Sequence, residues 1–166
     1  MNSCLDYPAV VCQLEERKKK LAITEIIETC TVFENLPNKD QFIENVLKRE
    51  TIETTGIGHG IAIAHGKVKR LSHIKVALGL CPEGIEFESK DSQPVKFLFV
   101  IASSPTRQFE YIKTISSILR IMKEAKLRDE LLSVAEQNSS FDVLSEKAKA
   151  LIKMLRSQRF RYLLLN

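Results

Sequence analysis

The segment from Arg49 to Lys69 contains the residues whose types and spacing best suit the binding of a phosphate. It reads RETIETTGIGHGIAIAHGKVK and places Gly56, Gly58 and Gly60 within five residues. Glycines at this density permit positive φ angles and a close approach of backbone N–H groups to an anion. The segment therefore predicts a loop that can hold an anionic group.

Other sites built from similar residues fit the segment less well. A dinucleotide-binding G-x-G-x-x-G loop follows an apolar strand and opens a helix, whereas here a charged helical pattern precedes and an alternating pattern follows. A Walker loop has Ser or Thr after Gly-Lys, and valine follows Gly66-Lys67. His59, His65 and His73 lie within fifteen residues but lack the i, i+4 spacing or neighbouring cysteine of a zinc site. Taken alone, each histidine also fits a surface or core position.

The whole segment resembles the active-site signature of the fructose/mannitol-type IIA domains of the bacterial sugar phosphotransferase system (PTS). That signature runs Arg-Glu, about three residues, then Ser/Thr-Thr-Gly-Ile-Gly-x-Gly-Ile-Ala-Ile-Pro-His. Arg49-Glu50 and residues 54–65 match it in register. Later blocks of the family are similar to residues 76–79, 83–87 and 94–96. The resemblance covers roughly residues 20–150 and includes the nitrogen-regulatory branch of the family.

The resemblance implies a histidine phosphocarrier, an enzyme of phosphoryl transfer that needs no metal and no other cofactor. His65 would accept a phosphoryl group from phospho-HPr and pass it to a IIB protein or domain, since a neutral imidazole nitrogen is nucleophilic near pH 7. Arg49 would hold phosphate oxygens through its forked guanidinium, and Gly58 and Gly60 through backbone amides. Tyr111 would lie beside the phosphate as a further stabilising residue.

Two positions depart from the family pattern and leave an alternative open. Ala64 replaces the proline that normally precedes the active histidine, which removes a backbone restraint but no catalytic atom. Tyr111 stands where relatives often carry a second histidine, and a phenol adds no positive charge at pH 7. It fits equally well as the first residue of an apolar helix stripe, and Lys67 fits either a point charge at the site or a solvent-facing lysine. The alternative function is a IIA-fold interaction module that controls a regulatory protein partner, with phosphorylation as a switch or absent.

The elements before the glycine loop are predicted to be an arm and two helices. Residues 1–13 carry little pattern, and Pro8 disfavours a helix, so we expect a loosely ordered arm. Helical spacing predicts a helix over residues 14–33. A second helix, capped by Asp40, should end near Glu50 or Thr51.

The remaining elements predict a sheet and further helices. Alternation over residues 60–65 predicts a strand with Ile61, Ile63 and His65 on one face. Residues 74–80 and the apolar run 96–102 predict two more strands, the latter covered on both faces. A helix follows whose apolar stripe comprises Tyr111, Ile115, Ile118 and Met122, widened by Ile112 and Leu119. Short helices are predicted over 128–137 and 141–156.

This order of elements and the composition bound the class of protein. Helices on both sides of a block of strands predict an α/β fold, a three-layer sandwich with a small mixed sheet, in one domain over residues 14–166.

A net charge of +4 is too small to indicate nucleic-acid binding, and the run Arg17-Lys18-Lys19-Lys20 is expected to be a solvated helix face. Without a long apolar stretch or a signal pattern, we expect a cytoplasmic protein that does not insert into a membrane. The four cysteines lack C-x-x-C spacing and are expected to be thiols.

Overall fold

A computed structural model describes residues 9–136, which form a five-stranded sheet between two helical layers. In chain order the elements are β1 (Ala9–Gln13), α1 (Lys19–Thr29), a 3₁₀ turn (Thr31–Phe33), α2 (Lys39–Ile52), β2 (Gly56–Gly58), β3 (Ile61–Lys67), β4 (Lys75–Ile85), β5 (Val95–Ser103), α3 (Gln108–Ile121) and α4 (Ala125–Glu136). The order of strands across the sheet is β1-β4-β5-β3-β2. The predicted three-layer α/β architecture is confirmed.

The sheet is mixed, and its pairing decides where strand ends meet. β3 runs parallel to β5, whereas β4 is antiparallel to β5 and β2 is antiparallel to β3. Lys67, the last residue of β3, is paired with Ser103, the last residue of β5. α3 begins five residues later, at Gln108, so its first turn lies near the carboxyl ends of both strands.

Two apolar cores cover the two faces of the sheet. On one face, Ala62 and Ala64 of β3 pack with α1 and α2. On the other face, Ile61 and Ile63 pack with α3 and α4. Because side chains alternate along a strand, His65 shares the face of Ile61 and Ile63, as the alternation predicted. The active-site candidate therefore faces α3, and β5 is buried on both faces as expected.

Gly66 allows α2 to approach β3 closely. A Cβ atom at this position would lie 2.8 Å from Val46 Cγ2 and 3.1 Å from Phe42 Cε2. Since both contacts are tighter than normal packing permits, a side chain at position 66 would push the helix away from the strand. At this position, side chains of α2 therefore pack directly against the backbone of β3.

The predicted start of the first helix is wrong. α1 begins at Lys19 rather than at residue 14, because the preceding backbone bonds to β4 instead. Leu14 N donates to Leu80 O at 2.9 Å, and Glu86 N donates to Arg17 O at 2.8 Å. A stretch whose N–H and C=O groups have sheet partners has no need of a helical turn.

The cap of α2 also differs from its prediction. Asn38, not Asp40, is the N-cap, and its side chain accepts a hydrogen bond from Gln41 N at 3.3 Å. Asn38 has φ 50°, a left-handed conformation that asparagine tolerates better than most residues. Asp40 lies in the first turn, where a carboxylate favours the positive end of the helix dipole.

Part of the segment expected to be a loose arm is a strand. Residues 9–13 form β1, which pairs in parallel with Val76 to Leu80 of β4.

Cys12 and Cys30 form a disulfide, which corrects the expectation of thiols, because β1 lies beside the end of α1. Cys81 is a buried free thiol whose pKa burial raises. Residues 1–8 and the helix predicted over 141–156 lie outside the described residues, and the single domain over 14–166 stays a prediction.

The apolar stripe of α3 is narrower than predicted on one side. Tyr111 and Ile118 are buried, but Ile112 and Leu119 are exposed. Ile121 is buried instead and turns the stripe toward α4.

Within residues 9–136, no helix combines the length and the apolar content that crossing a bilayer demands.

Candidate active site

His65 lies near the carboxyl end of β3 with a half-buried side chain. Its Nδ1 is 3.1 Å from the backbone oxygen of Ile63. A carbonyl oxygen can only accept, so this contact places the ring proton on Nδ1 and leaves a lone pair on Nε2. The His65 and Tyr111 ring centroids are 5.2 Å apart. The geometry therefore presents Nε2 as the nucleophilic atom.

The surroundings of His65 lower its pKa below the usual 6.5. Burial is the largest cause, because it disfavours the charged imidazolium. The positive charges of Arg49 and Lys67 act in the same direction, while the Ile63 carbonyl and the Glu50 carboxylate oppose them. The imidazole is accordingly neutral at pH 7, the form that can attack phosphorus.

Tyr111 and Lys67 lie on the same side of the sheet as His65. Tyr111 is only 9% exposed, and the Lys67 Nζ lies 4.3 Å from the centroid of its ring. The same Nζ donates to Ser103 Oγ at 3.0 Å and to Gln108 Oε1 at 2.9 Å. Lys67 is thus half-buried at the site rather than solvent facing, and its i, i+2 spacing from His65 was the sequence signal for this.

Arg49 approaches the site from the last turn of α2. Its Nη1 donates to Glu53 O at 3.0 Å, which holds the guanidinium against the chain that leaves the helix. Its charge acts on His65 and on Tyr111, lowering the pKa of both, although burial raises the pKa of Tyr111 more strongly. Of the predicted residues, His65 and Tyr111 are therefore in ring contact, and Arg49 is near enough for its charge to act on both.

Glu50 fastens the end of α2 to the segment before β2, a role that the sequence analysis missed. Its buried carboxylate accepts Thr55 N at 2.9 Å and Thr55 Oγ1 at 2.6 Å. Lys19 Nζ lies 3.4 Å from Glu50 Oε1 and also 4.9 Å from the centroid of the Phe87 ring. Thr55 O in turn accepts from Ile63 N at 3.1 Å. Glu50 thus connects α2 to β3, and Lys19 of the basic run lies half-buried against it rather than fully solvated.

We expect Glu50→Gln to lower the free energy of unfolding by about 2–3 kcal/mol. Removing one partner of a buried ion pair typically costs somewhat more, but Glu88 also lies 3.8 Å from Lys19 and keeps part of the compensation. Urea denaturation measures the change. Glu53→Gln is the matched control, because its pair with Lys90 is exposed and worth about 1 kcal/mol or less. Equal stability of the two variants would contradict the role given to Glu50.

The glycine loop lies at the other end of β3 from His65. Gly60 immediately precedes the strand, and five residues of extended chain span about 16 Å. Gly58 and Gly60 have positive φ angles of 101° and 76°, and the amide of His59 between them donates to Asp91 Oδ2 at 2.9 Å. The structure does not bring these glycines to the imidazole, because an extended strand separates residues that are close in sequence. Gly58 and Gly60 therefore lie outside the candidate site around His65.

His59 and His73 carry exposed side chains, which settles for both the choice between a surface and a core position. Within residues 9–136, no group of three or more His, Cys, Asp and Glu side chains is placed to hold a metal ion. Ala64 is fully buried on the opposite face from His65.

Comparison with known proteins decides the family. The profile of the phosphoenolpyruvate-dependent sugar phosphotransferase system, EIIA 2, matches residues 4–147. The chain belongs to the EIIA 2 family. Among its relatives, the PTS system fructose-specific EIIA component of Haloferax volcanii is 30% identical over 84% of this chain and 92% of that protein. The fructose-specific EIIABC component of Bacillus subtilis is 26% identical over 82% of this chain, which spans only 21% of that longer protein.

Two solved IIA structures share the fold of this chain. Nitrogen regulatory protein IIA-Ntr from Neisseria meningitidis is 25% identical, covers 77% of this chain and 88% of its own, and gives a TM-score of 0.66. The complex of IIAMtl with phosphorylated IIBMtl from Escherichia coli gives a TM-score of 0.61 at 16% identity, over 90% of this chain and 97% of that chain. The architecture around His65 is therefore shared with these two IIA structures.

Proposed function

We propose that this chain is a histidine phosphocarrier in which Nε2 of His65 accepts a phosphoryl group from phospho-HPr and passes it to a IIB component. The single observation that carries the proposal is the hydrogen bond from Nδ1 to Ile63 O, which leaves a nucleophilic Nε2 on a neutral ring. Arg49 and Lys67 supply positive charge around that atom. As a relay component, the chain would meet both partners in the cytoplasm.

The transfer step is a displacement at phosphorus. The Nε2 lone pair of His65 forms a new N–P bond while the N–P bond of the donor's phosphohistidine breaks. The electron pair of the broken bond returns to the donor imidazole. Nδ1 keeps its proton throughout, and the Ile63 carbonyl stabilises the positive charge that develops on the ring.

Charge stabilisation is the main contribution that this chain makes to the step. The transferred group spreads negative charge over its equatorial oxygens, and a guanidinium can bind two of them at once. Arg49 supplies that group from the end of α2. Tyr111 contributes a ring against His65 and a neutral hydroxyl that can donate one hydrogen bond.

The relatives support two settings for the same chemistry. The Haloferax and Bacillus proteins are named as fructose-specific components, and the Neisseria structure is named as a nitrogen regulatory protein. The second candidate function, control of a regulatory partner with phosphorylation as the switch, is favoured by that last relative. The phosphocarrier requires phosphorylation at His65, whereas the regulatory module uses it as a switch or works without it.

Labelling of the full chain tests the proposal directly. Incubation with enzyme I, HPr and labelled phosphoenolpyruvate should yield an acid-labile, base-stable phosphoprotein, and NMR of the imidazole nitrogens should place phosphorus on Nε2 of His65. A chase with a IIB protein should remove the label. Absence of labelling would contradict the phosphocarrier and leave the unphosphorylated interaction module.

The pH dependence of phosphoryl acceptance should follow the lowered pKa of His65. Because only the neutral ring attacks, the rate should be level at and above pH 7 and should fall only when the pH drops below 6.5 and the ring gains a proton. NMR titration of the His65 ring measures the midpoint independently of the donor. A midpoint at or above 6.5 would contradict the effect of burial and the two cations.

A further inference from the structure

We propose that the Lys67 ammonium binds the phosphoryl group carried by His65 and is the second cation of the site besides Arg49. The proposal rests on the proposed function and adds a catalytic residue to it. His65 and Lys67 are two residues apart on β3, so their side chains leave the same face of the strand about 6.6 Å apart along it.

The contacts of Lys67 direct its ammonium to the space beside the imidazole. Nζ lies over the Tyr111 ring at 4.3 Å, and the Tyr111 and His65 ring centroids are 5.2 Å apart. The Tyr111 ring therefore contacts both the cation and the nucleophile. We place the phosphoryl group of the proposed phosphohistidine in this region, between the imidazole and the ammonium.

The partners of the ammonium are all neutral. Nζ donates to the Ser103 hydroxyl and to the Gln108 side-chain oxygen, and it lies against an aromatic ring. Among residues 9–136, no carboxylate forms an ion pair with Lys67, whereas Lys19 in its own half-buried position is paired with Glu50. A half-buried ammonium with neutral partners has lost hydration that an incoming anion can replace.

Lys67 also affects His65 in the absence of phosphate. Its charge contributes to lowering the pKa of the imidazole, so its field reaches the ring. Burial lowers the pKa of Lys67 itself, the cost of holding a cation in this position. A phosphoryl group would relieve that cost by bringing negative charge to the ammonium. Tyr111, which is neutral, serves as the surface that holds Lys67 in place.

Substitution of Lys67 by glutamine in the full chain tests this assignment. We expect the rate of phosphoryl acceptance from phospho-HPr to fall about tenfold, as loss of one charged donor predicts. We also expect the pKa of His65 to rise in an NMR titration, an effect that a purely structural lysine would not produce. Lys67→Arg should retain most of the rate, because it keeps the charge. Lys69→Gln is the matched control, since Lys69 is exposed just beyond the strand, and it should change neither quantity.

The outcomes separate this inference from the proposed function. If wild type is not labelled, the phosphocarrier itself is refuted. If wild type is labelled on His65 while Lys67→Gln and Lys69→Gln match its rate, only the role of Lys67 is overturned. A slow Lys67→Gln variant that Lys67→Arg does not rescue, with an unchanged His65 pKa, would also overturn it, because the lysine would then act through packing alone.

Discussion

His65→Ala should accept no phosphoryl group from phospho-HPr. The variant lacks the nitrogen that forms the N–P bond, and the histidines at positions 59 and 73 are exposed, whereas His65 is half-buried beside Tyr111. Labelling with phosphoenolpyruvate, enzyme I and HPr measures the result. The loss should be complete within detection, the largest effect of any substitution considered for this chain.

Two further substitutions serve as controls for that experiment. His59→Ala and His73→Ala remove imidazoles from the surface and should be labelled at the wild-type rate. Circular dichroism should show that His65→Ala remains folded, because its side chain is half-buried and lies outside the two apolar cores. Undiminished labelling of a folded His65→Ala variant would refute the assignment of the nucleophile.

Arg49→Gln should slow phosphoryl acceptance by about 10²-fold while leaving the fold intact. The planar guanidinium can bind two equatorial oxygens of the phosphoryl group. Removal of one charge-stabilising donor commonly lowers the rate by about two orders of magnitude. Rapid-quench measurement of the second-order rate constant checks the value. The loss should exceed the one expected for Lys67, because a forked donor binds two oxygens and an ammonium binds as a point charge.

The neighbouring Lys48 provides the control for Arg49. Lys48 has an exposed side chain on the same turn of α2, so Lys48→Gln removes one positive charge of the helix without touching the site. Its rate should stay within about twofold of wild type at moderate ionic strength, where exposed charges are screened. Equal losses in the two variants would show that net charge steers the donor, and a normal rate in Arg49→Gln would remove the residue from the site.

The central strands of the sheet could be predicted from local sequence patterns, whereas the edge strand β1 could not. Alternation of isoleucine and alanine identified β3, and the apolar run before Ser103 identified β5, because each pattern reflects burial on one face or on both. β1 escaped prediction because its partner, β4, lies more than sixty residues away in the chain. The chain before α1 was misassigned for the same reason, since its backbone bonds to β4 rather than to itself.

The residues of the candidate site were also only partly predictable from the sequence. His65, Arg49 and Tyr111 could be named from the sequence through the family resemblance, and in the structure Tyr111 contacts His65 while the charge of Arg49 acts on both. Gly58 and Gly60 belong to the same signature but sit a strand's length from His65, since a signature records residues that recur together and not residues in contact. The burial of Lys67 and Glu50 depends on which elements cover them, which no local pattern reveals.

The contact at Gly66 has a consequence for the entropy of the transfer step. At Gly66, β3 has no side chain facing α2 whose rotamer could change. The helix that carries Arg49 and the strand that carries His65 therefore pack rigidly against each other. Freedom of α2 to move relative to β3 has therefore already been lost during folding and is not lost again when the phosphoryl group arrives. The backbone that carries Arg49 therefore needs little adjustment when the donor arrives, because a residue without a side chain lets the helix pack directly on the strand.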